Sequence, residues 1–386
     1  MSHSIIPPSS AHIWGKPDGC TGWVLMNQCY PETESTIEAM EGEASHEIAR
    51  ILIEISARGS GLTFKDFEGK VHENGVMYTE EMFEGAKEYA DDVAIVMRKS
   101  GVFAGPNLGI EKRLEMPQIH ELEFGTCDCF LFNKKTNHLY IWDYKFGYLI
   151  YEAFENWQII DYYAGIYNLL GFDGHQDQNI TVHIRVAQPR AFHRGGTIRE
   201  WTVKGSDLRG HINILHENAA KSLGPDAECK SGPHCRYCPA RHACESALSA
   251  GMGLYEVASK PVPVELSAAA LGTQLTIVKR ARKQLEYLES GFEEQVKGLI
   301  KSGKNVPGWG TEQTYGREKW GKPFEEVIAM GDMLGNDLRR KEAITPNQAR
   351  KLGIDDEMVK AYSTTPHAGL AIVPDNGNKV KQVFTQ

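Results

Sequence analysis

The sequence has no long apolar run, no targeting segment and no excess of basic residues. No stretch approaches the roughly 20 continuous apolar residues of a transmembrane helix. The first residues also lack a basic region followed by an apolar one, which is the pattern of a signal peptide. We therefore expect a cytoplasmic protein with no membrane partner. The net charge of −9 argues against non-specific coating of nucleic acid, although it allows a local basic groove.

Internal repeats and low-complexity segments are also missing. The chain has 386 residues, of which 41% are hydrophobic and 24% are charged. These values are typical of a globular protein with two or three domains, or with one large domain and extensions. Eight cysteines in a cytosolic chain indicate metal binding or burial rather than disulfides.

The most informative stretch is a predicted hairpin, in which two apolar runs flank a polar segment. If the hairpin closes on the four-residue loop 134–137, Asp128 lies directly opposite Asp143, with Cβ atoms roughly 5 Å apart. Strand alternation then places Lys145 on the same face. Opposed carboxylates repel each other, and a divalent cation between them would remove that repulsion. The alternative interpretation is a solvated hairpin face without a metal.

Helical spacing predicts a helix that begins near Ser35 or Thr36, carries His46 and ends at about Ala57. A second amphipathic helix is predicted over 77–99. A strand over 110–115 would carry Glu111, a candidate third carboxylate or simply an exposed strand residue.

After the hairpin, residues 153–170 read as a helix with Gln158 and Tyr162 on one face. Residues 180–188 alternate as a further strand. Helix, strand, hairpin, helix and strand in this order predict an α/β (α+β) fold with a mixed central sheet flanked by helices.

Three cysteines, Cys235, Cys238 and Cys244, follow in a C-x2-C-x5-C pattern that indicates a metal site. The pattern does not choose the metal. Zinc would take Cys229 or a nearby histidine as its fourth ligand, whereas an iron–sulfur cluster needs four thiolates.

A long helix is predicted from Glu265 to Lys301, and its polar side carries four basic residues: Lys279, Arg280, Arg282 and Lys283. Such a cluster suits DNA phosphates. A solvated helix face is the alternative. Further along, Thr345 and Pro346 predict the start of a short helix, with threonine as its cap.

Taken in order, these residues resemble the RecB-like nucleases of the PD-(D/E)XK superfamily. The residues that carry the resemblance are His46, Asp128, Asp143-Tyr144-Lys145, Gln158-x3-Tyr162 and the C-x2-C-x5-C pattern. The similarity is greatest to the branch with an iron–sulfur cluster, which includes the AddB nuclease domain and CRISPR adaptation nucleases. The whole chain also resembles an uncharacterised phage and prophage family. One departure is that no proline precedes Asp128.

The resemblance implies a PD-(D/E)XK core with a helical C-terminal extension, and it implies roles for its residues. Mg²⁺ or Mn²⁺ would be held by His46, Asp128, Asp143 and the carbonyl of Tyr144. Lys145 would position or deprotonate the attacking water. Gln158 and Tyr162 would hold either the DNA strand or the lysine.

In this branch a [4Fe-4S] cluster is held by three late cysteines and one early one. The resemblance therefore assigns Cys235, Cys238 and Cys244 together with Cys20 or Cys29. We favour Cys20, because Trp14 and Trp23 flank it in a glycine-containing loop. Zinc is the alternative metal.

The expected domains are an N-terminal lead-in (1–34), a nuclease core (35–228), a cysteine segment (229–250) and a C-terminal extension (251–386). The expected function is a metal-dependent DNA exonuclease in phage recombination or replication, working in the host cytoplasm. Its expected partners are DNA with a free end and a single-strand annealing or replication protein. The alternatives are a structure-selective or single-strand endonuclease, and a non-catalytic DNA-binding module with a structural metal cluster.

Overall fold

A computed structural model describes most of the chain. The described residues are 4–30, 36–59, 61–173, 176–191, 193, 195–259, 266–315, 318–322, 324–339, 345–351, 354–364 and 367–374. The chain divides into two compact units, Met1–Leu288 and Glu289–Gln386.

Helices make up more of the described structure than strands do. The α-helices are α1 (Ala11–Trp14), α2 (Trp23–Cys29), α3 (Ile37–Ala57), α4 (Glu80–Ser100), α5 (Trp157–Leu170), α6 (Arg209–Leu223), α7 (Glu245–Ser259), α8 (Ala268–Lys301), α9 (Phe324–Met333), α10 (Pro346–Lys351) and α11 (Asp356–Tyr362). None of the helices in the described ranges is both long enough and apolar enough to cross a membrane.

The first unit contains one five-stranded sheet. Its strands are β1 (Leu108–Glu115), β2 (Phe124–Asn133), β3 (His138–Tyr144), β4 (Thr181–Ala187) and β5 (Ile198–Lys204), and they lie side by side in chain order. Only the β3–β4 pair is parallel; the other pairs are antiparallel. The fold is therefore α+β with a mixed sheet, as the sequence predicts.

The predicted hairpin register is confirmed. Residues pair across β2 and β3 from Asn133 with His138 to Cys129 with Trp142. The next step along the same register brings Asp128 opposite Asp143, just beyond the last paired residues. The polar loop thus sets which residues meet at the far end of the hairpin.

One face of the sheet is covered by α3 and α4, whose apolar side chains pack with Trp142 and Tyr144. The start predicted for α3 is confirmed: the Thr36 hydroxyl accepts from the Ala39 amide at 3.2 Å. The second helix starts three residues later than predicted, at Glu80, because Thr79 caps it.

The opposite face is covered by α5 and the N-terminal segment, which contributes Trp14 and Trp23 to the same core. The predicted helix over 153–170 begins only at Trp157, because the Asn156 side chain accepts from the Ile159 amide. The predicted strands over 110–115 and 180–188 are present as β1 and β4. The sheet therefore lies between two helical layers.

The second unit has its own small core, formed by α9 to α11 with residues such as Met330 and Val359. Its strands β6 (Trp309–Tyr315) and β9 (His367–Pro374) pair with each other, as do β7 (Lys319–Trp320) and β8 (Ser363–Thr364). The predicted start of α10 at Pro346 is confirmed. The predicted start of the long helix, Glu265, lies outside the described residues.

Candidate functional site

Three candidate ligands meet where α3 approaches the middle of β1 and of β2. The Nδ1 atom of His46 is 3.6 Å from Glu111 Oε1 and 3.8 Å from Asp128 Oδ1. The three ligand atoms all lie within 4.8 Å of one another. Ligands that share one Mg²⁺ at about 2.1 Å lie about 3 to 4 Å apart. The donor set and its spacing therefore fit a divalent cation.

Glu111 reaches this group through an unfavourable backbone conformation. Its φ of 44° lies in the left-handed region, which side chains other than glycine rarely adopt. Its neighbours Ile110 and Lys112 keep their pairing to β2, so the distortion is confined to the residue facing Asp128. Strain of this kind is common at functional sites. Glu111 is accordingly placed as a ligand candidate rather than as an ordinary strand residue.

The two aspartates of the hairpin have different surroundings. Asp128 Oδ2 accepts a hydrogen bond from the Tyr144 amide at 2.6 Å, which leaves Oδ1 facing His46. Asp143 is completely buried, and its Oδ1 accepts from Lys145 Nζ at 3.0 Å. Its Oδ2 has no hydrogen-bond partner among the described residues. A buried carboxylate oxygen without a partner is costly, and a bound cation would satisfy it.

Lys145 is held from two sides. Its ammonium donates to Asp143 Oδ1 and, at 3.1 Å, to Gln158 Oε1. The Gln158 amide in turn donates to the Tyr162 hydroxyl at 3.2 Å. The Lys145 ammonium also lies 5.4 Å from the centre of the Tyr151 ring. Of the two roles considered for Gln158 and Tyr162, these contacts favour holding the lysine.

Tyr144 contributes to the site through its backbone. Its ring stacks on Tyr89, and its hydroxyl shares a 2.7 Å hydrogen bond with Ser45, so the side chain belongs to the core. The amide holds Asp128. Ligation by the Tyr144 carbonyl stays a prediction.

The carboxylates of the site shift the pKa values of its two basic side chains, His46 and Lys145, upwards. Burial opposes the charged form of His46, but Asp128 and Glu111 outweigh it and raise the pKa of His46 to about 9. Burial raises the pKa of Asp143 to about 6, although Lys145 acts in the other direction. For Lys145, burial is outweighed by Asp143 and Asp128, so the pKa of its ammonium is raised. An excess of carboxylates thus attracts positive charge to this position.

Cys20, far away in the sequence, lies beside the cysteines of the segment 229–244. Cys20 Sγ accepts from the Lys230 amide, and Cys235 Sγ accepts from the Gly232 amide, both at 3.3 Å. Gly22 packs directly against Cys229: a Cβ atom at position 22 would lie 2.5 Å from the Cys229 Sγ, which is too close for any side chain. The structure thus assembles one group of five thiols: Cys20, Cys229, Cys235, Cys238 and Cys244. Burial and, to a smaller extent, the neighbouring Cys244 raise the pKa of the other four thiols.

Burial dominates the ionisation of these thiols. It raises the pKa of Cys238 to about 11, and neighbouring cysteines add to the effect. Thiols in such a place stay neutral unless a metal replaces their protons. Cys29, by contrast, is exposed at the end of α2. The group therefore contains Cys20, and Cys229 is a fifth candidate that the sequence treats only as an alternative zinc ligand.

The basic residues of α8 have partners within the protein. Arg280 donates to the backbone and side-chain oxygens of Ser231. Arg282 and Lys283 both pair with Glu286, at 3.1 and 2.7 Å. These contacts reduce the positive charge of the helix face that the sequence assigns to DNA. Lys279 is exposed on the same helix.

Comparison with known proteins gives a family without an established role. No curated protein matches the chain. One family model, described as "Protein of unknown function (DUF2800)", matches residues 3–374. Since that match spans nearly the whole sequence, the chain belongs to the DUF2800 family.

Proposed function

We propose that the protein is a metal-dependent deoxyribonuclease of the PD-(D/E)XK type. The carrying observation is the convergence of His46, Glu111 and Asp128 beside Asp143, whose buried Oδ2 is free to accept a cation. Lys145 completes the arrangement expected of such nucleases. Mg²⁺ or Mn²⁺ would be held by these carboxylates and by the imidazole of His46. Metal binding would release the proton that the raised pKa of His46 keeps on the ring in the metal-free protein.

The residues divide the work of phosphodiester hydrolysis. When bound, the cation supplies a water of lowered pKa and neutralises charge on the phosphate. Lys145, whose pKa is raised, stays an ammonium and donates hydrogen bonds to the attacking water or a phosphate oxygen. Gln158 fixes the direction of that ammonium. The raised pKa favours positioning and charge stabilisation by Lys145 over removal of a proton from water.

The proposed reaction is exonucleolytic and acts on DNA with a free end, in phage recombination or replication. This part rests on the resemblance to cluster-bearing nucleases. A structure-selective or single-strand endonuclease uses the same residues and is the second candidate. A single-strand annealing or replication protein would be the natural partner of either enzyme.

We propose that four of the five clustered cysteines hold a [4Fe-4S] cluster: Cys20, Cys235, Cys238 and Cys244. The carrying observation is that Cys20 lies against the cysteine segment more than 200 residues away in the chain. Cys229 in place of Cys20 would give a local four-cysteine zinc site, which is the alternative.

The decisive assay uses purified protein with Mg²⁺ or Mn²⁺. End-labelled linear DNA, single- and double-stranded, is compared with closed circles. We expect cleavage of linear DNA that stops on chelation of the metal and returns when it is restored. Asp143→Asn should lower the rate by orders of magnitude, whereas Asp226→Asn, a change at an exposed residue, should not. Equal cutting of circles would select the endonuclease. Unimpaired cleavage by Asp143→Asn would overturn the site.

A further inference from the structure

A short exposed segment directly follows the site and has no role in the chemistry above. The presenting loop, residues 147–151, carries three consecutive apolar side chains in solvent: Tyr148 is 64% exposed, Leu149 53% and Ile150 39%. Contiguous exposed apolar residues generally mark a binding surface. Their place beside Lys145 makes the substrate the first candidate for what they bind.

The backbone of the presenting loop is held by a buried amide. Gln188, with no exposed surface, donates to the carbonyls of Gly147 at 3.0 Å and Leu149 at 2.6 Å, and accepts from the Tyr151 amide at 3.2 Å. Arg199 donates to both the Tyr151 carbonyl and the Gln188 oxygen. The apolar side chains are thus exposed on a fixed backbone.

The Tyr148 ring is itself fixed on one side. The guanidinium of Arg190 lies 4.9 Å from the centre of that ring and 4.5 Å from the centre of the Phe146 ring. Arg190 is held in turn by Glu41 at 2.6 Å and Glu81 at 2.9 Å. A cation under one face and solvent over much of the rest is the arrangement of a stacking platform.

The position of the loop determines which part of a DNA strand would reach it. One residue separates the loop from Lys145, and the ring of Tyr151 at its other end lies near the Lys145 ammonium. A strand with its phosphate at Lys145 therefore places adjacent nucleotides at the loop.

Charge determines which part of those nucleotides faces the protein. The neighbouring cavity, of about 540 Å³, is lined by four acidic residues of α4 and by two basic residues, so its net charge is negative: Glu81, Glu84, Glu88 and Asp91 against Lys87 and Arg190. Both basic groups are already paired, Lys87 with Asp91 and Arg190 with Glu81. Phosphates are repelled from such a wall. Bases rather than phosphates would therefore turn towards the apolar loop.

We propose that Tyr148, Leu149 and Ile150 bind unpaired bases next to the scissile phosphate. The substrate is then a single-stranded or frayed DNA end, because bases in an intact duplex are already stacked and paired. The inference rests on the nuclease function and adds the form of DNA that the site accepts. Stacking on aromatic side chains is sequence-tolerant, so no base preference is expected.

The test compares a single-stranded oligonucleotide with the same strand made abasic at the nucleotides flanking one phosphate. Wild-type protein should bind and cleave the abasic strand at least about fivefold less well. Tyr148→Ala should weaken binding of the normal strand and bring the ratio of the two strands close to one, and Leu149→Ala should lower that ratio. Tyr148→Phe should keep the wild-type ratio. Phe103→Ala removes an exposed aromatic ring elsewhere and should change nothing. Denaturation midpoints of all variants establish that they fold.

Three outcomes separate the two proposals. An active enzyme that treats normal and abasic strands alike contradicts the base-binding role and leaves the nuclease intact. A folded Tyr148→Ala variant that keeps the wild-type ratio between normal and abasic strands also contradicts the base-binding role. If that variant has lost binding to another protein, the loop is the binding surface for a protein partner instead. A wild-type protein that neither cleaves nor binds DNA with Mg²⁺ or Mn²⁺ overturns both proposals.

Discussion

Glu111 combines a backbone conformation that disfavours it with a carboxylate that faces His46 and Asp128. Glycine adopts a φ of 44° without the penalty that other residues incur there, which is about 1 to 3 kcal/mol. The residue that best suits the backbone at this position is therefore not the one present. Stability and the proposed metal binding place opposite demands on it.

We predict that Glu111→Gly raises the free energy of unfolding of the metal-free protein while weakening Mg²⁺-dependent cleavage. Relief of the strained conformation and of the repulsion from Asp128 outweighs the lost attraction between Glu111 and His46. Denaturant unfolding in chelator and a Mg²⁺ titration of activity measure the two effects. Glu111→Gln is the matched control, since it removes the charge and keeps the strain. A glycine variant less stable than the glutamine variant would contradict this view of Glu111.

A second residue-scale feature lies away from the site. Glu123 and Asp161 are buried against each other, and burial together with mutual repulsion raises the pKa of Glu123 well above its ordinary value. Burial raises the pKa of Asp161 to about 7. A proton on Glu123 removes the repulsion between the two carboxyls. Asp161 stands out in the sequence as the one acidic residue in the apolar run of α5, but nothing local indicates that Glu123 is its partner.

This pair predicts a stability that falls as pH rises. In the unfolded chain both carboxyls lose their protons near pH 4, whereas folding raises the pKa of Asp161 to about 7 and that of Glu123 well above its ordinary value. The folded form binds more protons in that window, so the free energy of unfolding decreases through it. Denaturant midpoints at several pH values should show this decline, and it should be shallower in Asp161→Asn. An identical slope in the variant would remove the pair as its cause.

At the scale of elements, the hairpin is predictable from the sequence because a short polar turn between two apolar runs defines one register. That register also brings together Asp128 and Asp143, the two carboxylates on which the predicted site depends. The left-handed backbone conformation of Glu111 cannot be predicted from the sequence, because it depends on contacts between β1 and β2. The role of Gln188 was missed as well. A glutamine at the end of a strand gives no sign that it will bind a loop near residue 149.

We predict that Gln188→Ala loosens the presenting loop. The substitution removes partners from two carbonyls and one amide, and a buried polar group left unpaired costs about 1 to 3 kcal/mol. Amide hydrogen exchange at Tyr151 should accelerate, and the protein should unfold at lower denaturant. Gln176→Ala, a change at an exposed glutamine, is the control. Unchanged exchange at Tyr151 would show that Gln188 does not hold the loop.

At the scale of the whole molecule, the five clustered cysteines bring the start of the first unit, around Cys20, to the segment 229–244. Sequence pattern identified the three clustered cysteines, because their spacing is local. The sequence favours Cys20 over Cys29 through the flanking Trp14 and Trp23. The packing of Gly22 against Cys229, which no local pattern encodes, brings Cys20 to the later cysteines. Cross-linking such distant segments would constrain the unfolded chain. The closure entropy grows with loop length, but only slowly.

We predict that protein purified without oxygen is brown and absorbs near 400 nm, as thiolate-bound iron–sulfur clusters do. Cys20→Ala should bleach it and lower its thermal midpoint, whereas Cys29→Ala should do neither. Iron and sulfide assays identify the group directly. Colourless protein with stoichiometric zinc, indifferent to the loss of Cys20, would establish the local site with Cys229 instead.

The meeting of Cys20 with Lys230 also has a consequence for timing during synthesis. These residues are 210 positions apart. A ribosome adding about 5 to 20 residues per second needs about 10 to 40 s to make the intervening chain. Every proposed catalytic residue, up to Tyr162, is therefore translated before the segment that fastens the N-terminus. A nascent chain would complete its thiol site only after its cleavage site, so delivery of the metal cluster would be a late maturation step.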